Sequence, residues 1–73
     1  MPKLPVISGK ECIAALRKAG FYDLRQRGDH VIMHRDNPPA TVSVPLHKTL
    51  KKGTLRTIIR QVGLTVDEFV DLL

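Results

Sequence analysis

Arg25-Gln26-Arg27-Gly28-Asp29-His30-Val31-Ile32-Met33-His34-Arg35 reads as the end of one β-strand, a tight turn at Gly28-Asp29, and a second strand that alternates. Successive side chains on a pleat point to opposite faces. Val31 and Met33 therefore share one face, while His30, Ile32 and His34 share the other. The apolar pair is expected to face a core. That leaves His30 turned outward, one step past the turn, with Arg25, Arg27 and Arg35 nearby in sequence. An imidazole among guanidinium groups on an open sheet face is a candidate acid/base group aimed at a phosphodiester.

Upstream of this hairpin, Phe21 to Arg27 is expected to form the first strand. Phe21 and Leu24 do not keep strict alternation with it; a bulge or a twist would explain the break, and the sequence shows neither. Before it, Ser8-Gly9-Lys10-Glu11 has the Ser-x-x-Glu spacing of a capping box, so a helix is predicted from there to about Ala19. Cys12, Ile13, Leu16 and Ala19 form its apolar stripe, with Lys10, Arg17 and Lys18 on a solvated face. Gly20 suits the left-handed residue that ends it. Met1 to Ile7, with two prolines, is an extended lead-in.

Downstream, Asp36-Asn37-Pro38-Pro39 has the chemistry of a loop. Thr41 to Val44 alternates as a short strand that Pro45 stops. Leu46 to Lys52 is a basic connector. From Gly53, a second helix carries Leu55, Ile58, Ile59 and Val62 at i, i+3, i+4 and i+7, and Gly63 closes it. Thr65-Val66-Asp67-Glu68 is another capping box, opening a short helix whose apolar side is Phe69, Leu72 and Leu73. The order is helix, three antiparallel strands, helix and short helix. That is an α+β fold with the helices on one sheet face, and it leaves the His30 face open.

Seventy-three residues are enough for one small domain, spanning 1–73. No apolar run approaches the roughly 18 residues of a membrane span, and no signal-peptide pattern is present. The lone Cys12 excludes an internal disulfide and reads as a buried thiol. A cytoplasmic protein fits these features. Charge is uneven: Arg17 to Arg60 holds ten basic and three acidic residues, net +7, whereas Gln61 to Leu73 holds three acidic and none basic. A positive middle points to a polyanion, most simply nucleic acid.

RNA contacts would then fall to Arg25, Arg27, Gly28 and Arg35 around the hairpin, with Lys48, Lys51 and Lys52 before the second helix. The start of that helix would add backbone N–H groups, with Gly53 allowing close approach. His34 stands four residues from His30, roughly 13 Å at about 3.4 Å per residue, too far to share one phosphodiester. It reads as a surface or RNA-contacting residue. His47 reaches His30 only if the connector folds back, and is then a candidate second acid/base group. The three histidines lack the spacing of a zinc site, so no metal and no small-molecule cofactor are expected. Phe21, Tyr22 and Phe69 read as structural, with no stacking platform for bases.

Gly28-Asp29-His30, then Val44-Pro45-Leu46-His47, then Lys52-Gly53-Thr54-Leu55-Arg56-Thr57-Ile58-Ile59-Arg60-Gln61-Val62-Gly63 resemble the HicA mRNA interferase toxins. The resemblance covers Ile7 to Leu73. It implies a double-stranded-RNA-binding-domain-like fold, endoribonuclease activity on mRNA, and neutralisation by a HicB-type antitoxin. It also implies that His30 is the catalytic histidine of a Gly-Ser-His-like motif whose glycine is Gly28. Asp29 stands where serine is usual.

Three readings follow from the residues and this resemblance. One is a metal-independent toxin endoribonuclease with His30 as general acid/base. Another is a non-catalytic RNA-binding module of the same fold. A third is a protein-interaction domain whose basic face serves an acidic partner.

Overall fold

A computed structural model describes residues 3–73; Met1 and Pro2, which begin the expected extended lead-in, lie outside the described residues. The chain runs α1 (Gly9–Lys18), β1 (Tyr22–Arg27), β2 (His30–Asp36), β3 (Pro39–Pro45), α2 (Lys52–Gln61) and α3 (Val66–Val70). The strands form one antiparallel sheet in the order β1-β2-β3. The architecture is the α+β one that the hydrophobic periodicity predicts.

Side-chain capping boxes start α1 and α3, whereas α2 starts at Lys51 without one. The Ser8 hydroxyl accepts from the Glu11 backbone N–H at 3.1 Å, and the Glu11 carboxylate accepts from the Ser8 N–H at 3.0 Å. Two of the four donors left over at a helix start are thereby satisfied. Thr65 and Glu68 repeat the arrangement at α3. Gly20, at φ 94°, turns the chain after α1 and delivers Phe21 into the core.

The inner face of the sheet carries Val31, Met33, Val42 and Val44, all buried. They pack against Cys12, Ile13, Ala15 and Leu16 of α1, Leu55, Ile58 and Ile59 of α2, then Val62 and Phe69 in one cluster. Each fully buried side chain of this size contributes roughly 1.5–3 kcal/mol relative to exposure. Burial also pushes the Cys12 thiol up to about 12, so it is uncharged at neutral pH and serves as a small apolar group.

Some boundaries differ from the sequence reading. β3 runs from Pro39 to Pro45 rather than from Thr41 to Val44, with Pro39 opposite Asp36 and Pro45 opposite His30. It is an edge strand, where a missing N–H is tolerated, so proline limits the ladder without ending the extended backbone. β1 begins at Tyr22 because Phe21 is drawn inward, and α2 begins one residue earlier, at Lys52. α3 ends at Val70, which leaves Leu72 half-buried and Leu73 exposed instead of on a helix stripe.

β1 is exposed along its whole length, since α1 and α2 lie over β3. It also contains the irregularity that the broken alternation suggests. Tyr22 pairs with His34 and Asp23 with Met33, but Ile32 then pairs with Arg25, leaving Leu24 as the extra residue of a bulge. Directly opposed residues share a face. Without the bulge, strict alternation from Tyr22 would turn Arg25 and Arg27 toward the helix side. With it, both lie on the face of His30.

Candidate active site

The site is built from the hairpin turn, β1 and the connector after β3. Gly28, at φ 61°, supplies the left-handed backbone of the turn, and Gln26 donates from its side chain to the Gly28 carbonyl at 2.9 Å. His30 opens β2 opposite Arg27 on one side and Pro45 on the other. Its side chain is about half exposed, on the face away from the core.

The connector folds back toward this turn. The Leu46 N–H donates to the Asp29 carbonyl at 2.6 Å, the Gly9 N–H donates to the His47 carbonyl at 2.9 Å, and the Leu50 N–H donates to the Ile7 carbonyl at 2.8 Å. These three bonds hold residues 46–50 between the turn and the N-terminal segment. Gly9 makes the approach possible: a Cβ there would overlap the Pro45 carbonyl oxygen and press on Leu46 Cα at 3.0 Å.

The result joins two histidines through one carboxylate. Asp29 Oδ1 lies 2.9 Å from His30 Nδ1, and Asp29 Oδ2 lies 3.4 Å from His47 Nε2. An ionised carboxylate only accepts hydrogen bonds, so the ring nitrogens facing it carry hydrogen. Among the described residues, His30 Nε2 and His47 Nδ1 have no hydrogen-bond partner. Partial burial would raise the Asp29 carboxyl, but the charge of His30 and hydrogen bonds from the backbone, His47 and His30 outweigh it and hold Asp29 below its ordinary value. His47 and Lys48 also line a cleft of about 340 Å³ with Ser8, Lys10 and Leu46.

The other candidates divide. Arg25 and Arg27 join His30 on the open face. Lys48 joins His47 in the cleft. Lys51 is an exposed N-cap without a side-chain capping bond, and Lys52 lines a separate cavity with Lys3, Leu4, Val6 and Arg56. Arg35 does not join the cluster. Its guanidinium lies 4.7 Å over the Phe21 ring and donates to the Pro38 and Val62 carbonyls, at 3.0 and 3.3 Å. Alternation explains this, because Arg35 shares the inner face with Val31 and Met33 and caps the end of α2.

His34 is on the open face but engaged. Its Nδ1 lies 2.9 Å from the Thr41 hydroxyl and its Nε2 lies 3.1 Å from Asp36 Oδ1. Tyr22 donates to the same Asp36 oxygen at 3.1 Å and meets the His34 ring edge-on at 5.7 Å. Burial, the bond to Asp36 and the charge of Asp36 push the Tyr22 phenol up. Among the described residues, no three His, Cys, Asp or Glu side chains converge as metal ligands, and no helix is long and apolar enough to cross a membrane.

The sequence reading missed two residues. Lys10, assigned to a solvated face, borders the His47 cleft. Gly9 reads as an ordinary capping-box position, yet its missing side chain lets the connector dock. Neither had a sequence signal, because both roles depend on which segment packs against the start of α1.

The model of the HicA toxin of bacterial toxin–antitoxin systems matches residues 9–64. The chain belongs to that family. The match runs from the first residue of α1 to just past α2, and so includes Asp29, His30 and His47. HicA membership makes the chain a toxin and implies an antitoxin partner in general. A search among curated proteins gives no match.

Proposed function

We propose that this HicA-family chain is an endoribonuclease that cuts mRNA without a metal, with His30 as a general acid/base. The observation carrying the reading is the state of one ring. His30 is exposed, has one nitrogen fixed by Asp29 and the other free, and sits on the face that the β1 bulge gives to Arg25 and Arg27. RNA contains its own nucleophile in the 2′-hydroxyl, so cleavage needs proton transfer and cations for the developing charge rather than a protein nucleophile. Arg25 and Arg27 are suited to the phosphates flanking the cut, with Lys48, Lys51 and Lys52 along the strand beyond.

The reaction would take place in the cytoplasm, where mRNA is translated. A HicB-type antitoxin would inhibit most simply by covering the His30 face, so the intact chain expressed without it should arrest growth. The test is intact mRNA incubated with the purified protein and with His30→Ala, in excess EDTA. Cleavage by the wild type alone supports the reading. Equal cleavage by both overturns the role of His30, and loss of all cleavage on chelation overturns the metal-free route. Salt-sensitive RNA binding by a wild type that never cuts would leave an RNA-binding module.

A further inference from the structure

We propose that His47 is the second proton-transfer residue of this site and that Asp29 is the positioning residue that couples it to His30. The inference rests on the endoribonuclease reading and adds the partner that a single imidazole lacks. Breaking a phosphodiester from within needs a proton removed from the 2′-hydroxyl and another delivered to the departing 5′-oxygen. One ring serving both oxygens would have to reach both sides of the phosphorus. Two rings on one carboxylate do not.

The geometry supplies both rings. Asp29 holds His30 through Nδ1 at 2.9 Å and His47 through Nε2 at 3.4 Å. The bonded nitrogens are therefore no farther apart than one carboxylate and two hydrogen bonds, and each ring keeps a free nitrogen. His47 is held from the backbone side as well, by the Gly9 N–H on its carbonyl. The charged groups beside the pair are Arg27, across the strand from His30, and Lys48 and Lys10, which share the cleft with His47. All three are cations suited to the phosphate. Asp29 is the carboxylate the pair shares, and one oxygen faces each ring.

The ring that starts neutral takes the 2′-hydroxyl proton as the 2′-oxygen bonds to phosphorus. The bond from phosphorus to the 5′-oxygen breaks, its electron pair leaves with that oxygen, and the ring that starts as imidazolium protonates it. The products are a 2′,3′-cyclic phosphate end and a 5′-hydroxyl end, and proton exchange with solvent resets the two rings. No oxidant, reductant or metal is consumed.

The test compares the wild type, His30→Ala, His47→Ala, His47→Gln and Asp29→Asn on two oligoribonucleotides. One is natural. The other carries a bridging 5′-sulfur at the linkage the wild type cuts, and this leaving group departs without a proton. On the natural linkage, His47→Ala and His47→Gln are expected to lose about 10²–10⁴-fold in kcat, and Asp29→Asn about 10²-fold with KM little changed. The sulfur linkage should restore the variant lacking the acid, either His30→Ala or His47→Ala, to within about tenfold of the wild type. His47 and Asp29 side chains are more than half exposed, so their replacement spares the core. Full activity in both His47 variants overturns the inference, as does equal loss on both linkages in every variant. If His30→Ala is inactive in those cases, the one-histidine reading survives. If His30→Ala still cuts, that reading has failed instead.

Discussion

His30 and His34 occupy one strand, face the same side of the sheet and are four residues apart, yet their rings have opposite fates. The His34 ring spends both nitrogens on Thr41 and Asp36 and has Tyr22 against its edge. His30 uses one nitrogen on Asp29, keeps the other free, and has Arg27 as its cross-strand neighbour. Residue type, strand and sheet face are the same for both rings. Asp36 of the same strand, Thr41 of β3 and Tyr22 of β1 place His34 in a fixed polar cluster, whereas His30 sits in an open one. A histidine with both nitrogens satisfied is poorly suited to move a proton, because each movement breaks a bond that holds the ring.

The contrast can be broken most directly by exchanging the expected roles. His30→Ala should lower RNA cleavage by about 10²–10⁴-fold, whereas His34→Ala should leave it within about threefold; gel assays on a labelled transcript would show a reversed order if the contrast is misread. The next largest effect separates the two faces of β2. Met33→Ala should cost about 2–5 kcal/mol in urea unfolding, because Met33 is fully buried, and Ile32→Ala clearly less, because Ile32 is only half-buried on the open face. Equal losses would mean the open face is covered in solution.

Smaller effects sharpen the comparison. Arg25→Ala or Arg27→Ala should each weaken RNA binding and reduce the salt slope by about 0.7 for a single strand, while Arg35→Ala should leave the slope unchanged and lower the melting temperature. His34→Ala should cost about 1 kcal/mol of stability, the scale of its hydrogen bonds. The smallest effect is in acid. Asp29 is held below its ordinary value in the fold, so its contribution is complete above the unfolded-chain value near 3.8 and fades as pH falls below it. Acid titration of Asp29→Asn should lack that component, and identical titration curves would remove it from the account.

Much of this was legible in the residues. Both capping boxes, the alternation of Val31 and Met33, and the i, i+3, i+4 stripe of α2 are local patterns that backbone geometry converts directly into faces. The broken alternation around Leu24 fits a bulge or a twist equally, and it is the register in the structure that shows a bulge turning Arg25 and Arg27 outward. Arg35 misled because nearness in sequence to other arginines concealed that it falls on the inner face, where it meets Phe21 and the end of α2. Gly9 and Lys10 were silent, because their partners arrive from the connector some 35 residues later.

The amino-acid sequence by itself determined which strands and helices form, which sheet face is apolar, and that His30 points away from the core. Each of these follows from periods of 2 and 3.6 residues that act over a few positions. Only the tertiary structure decided that His47 returns to Asp29, that His34 is spent on Thr41 and Asp36, and that Arg35 serves the interior. Those outcomes depend on strand register and on backbone bonds between segments distant in the chain, which no local pattern encodes.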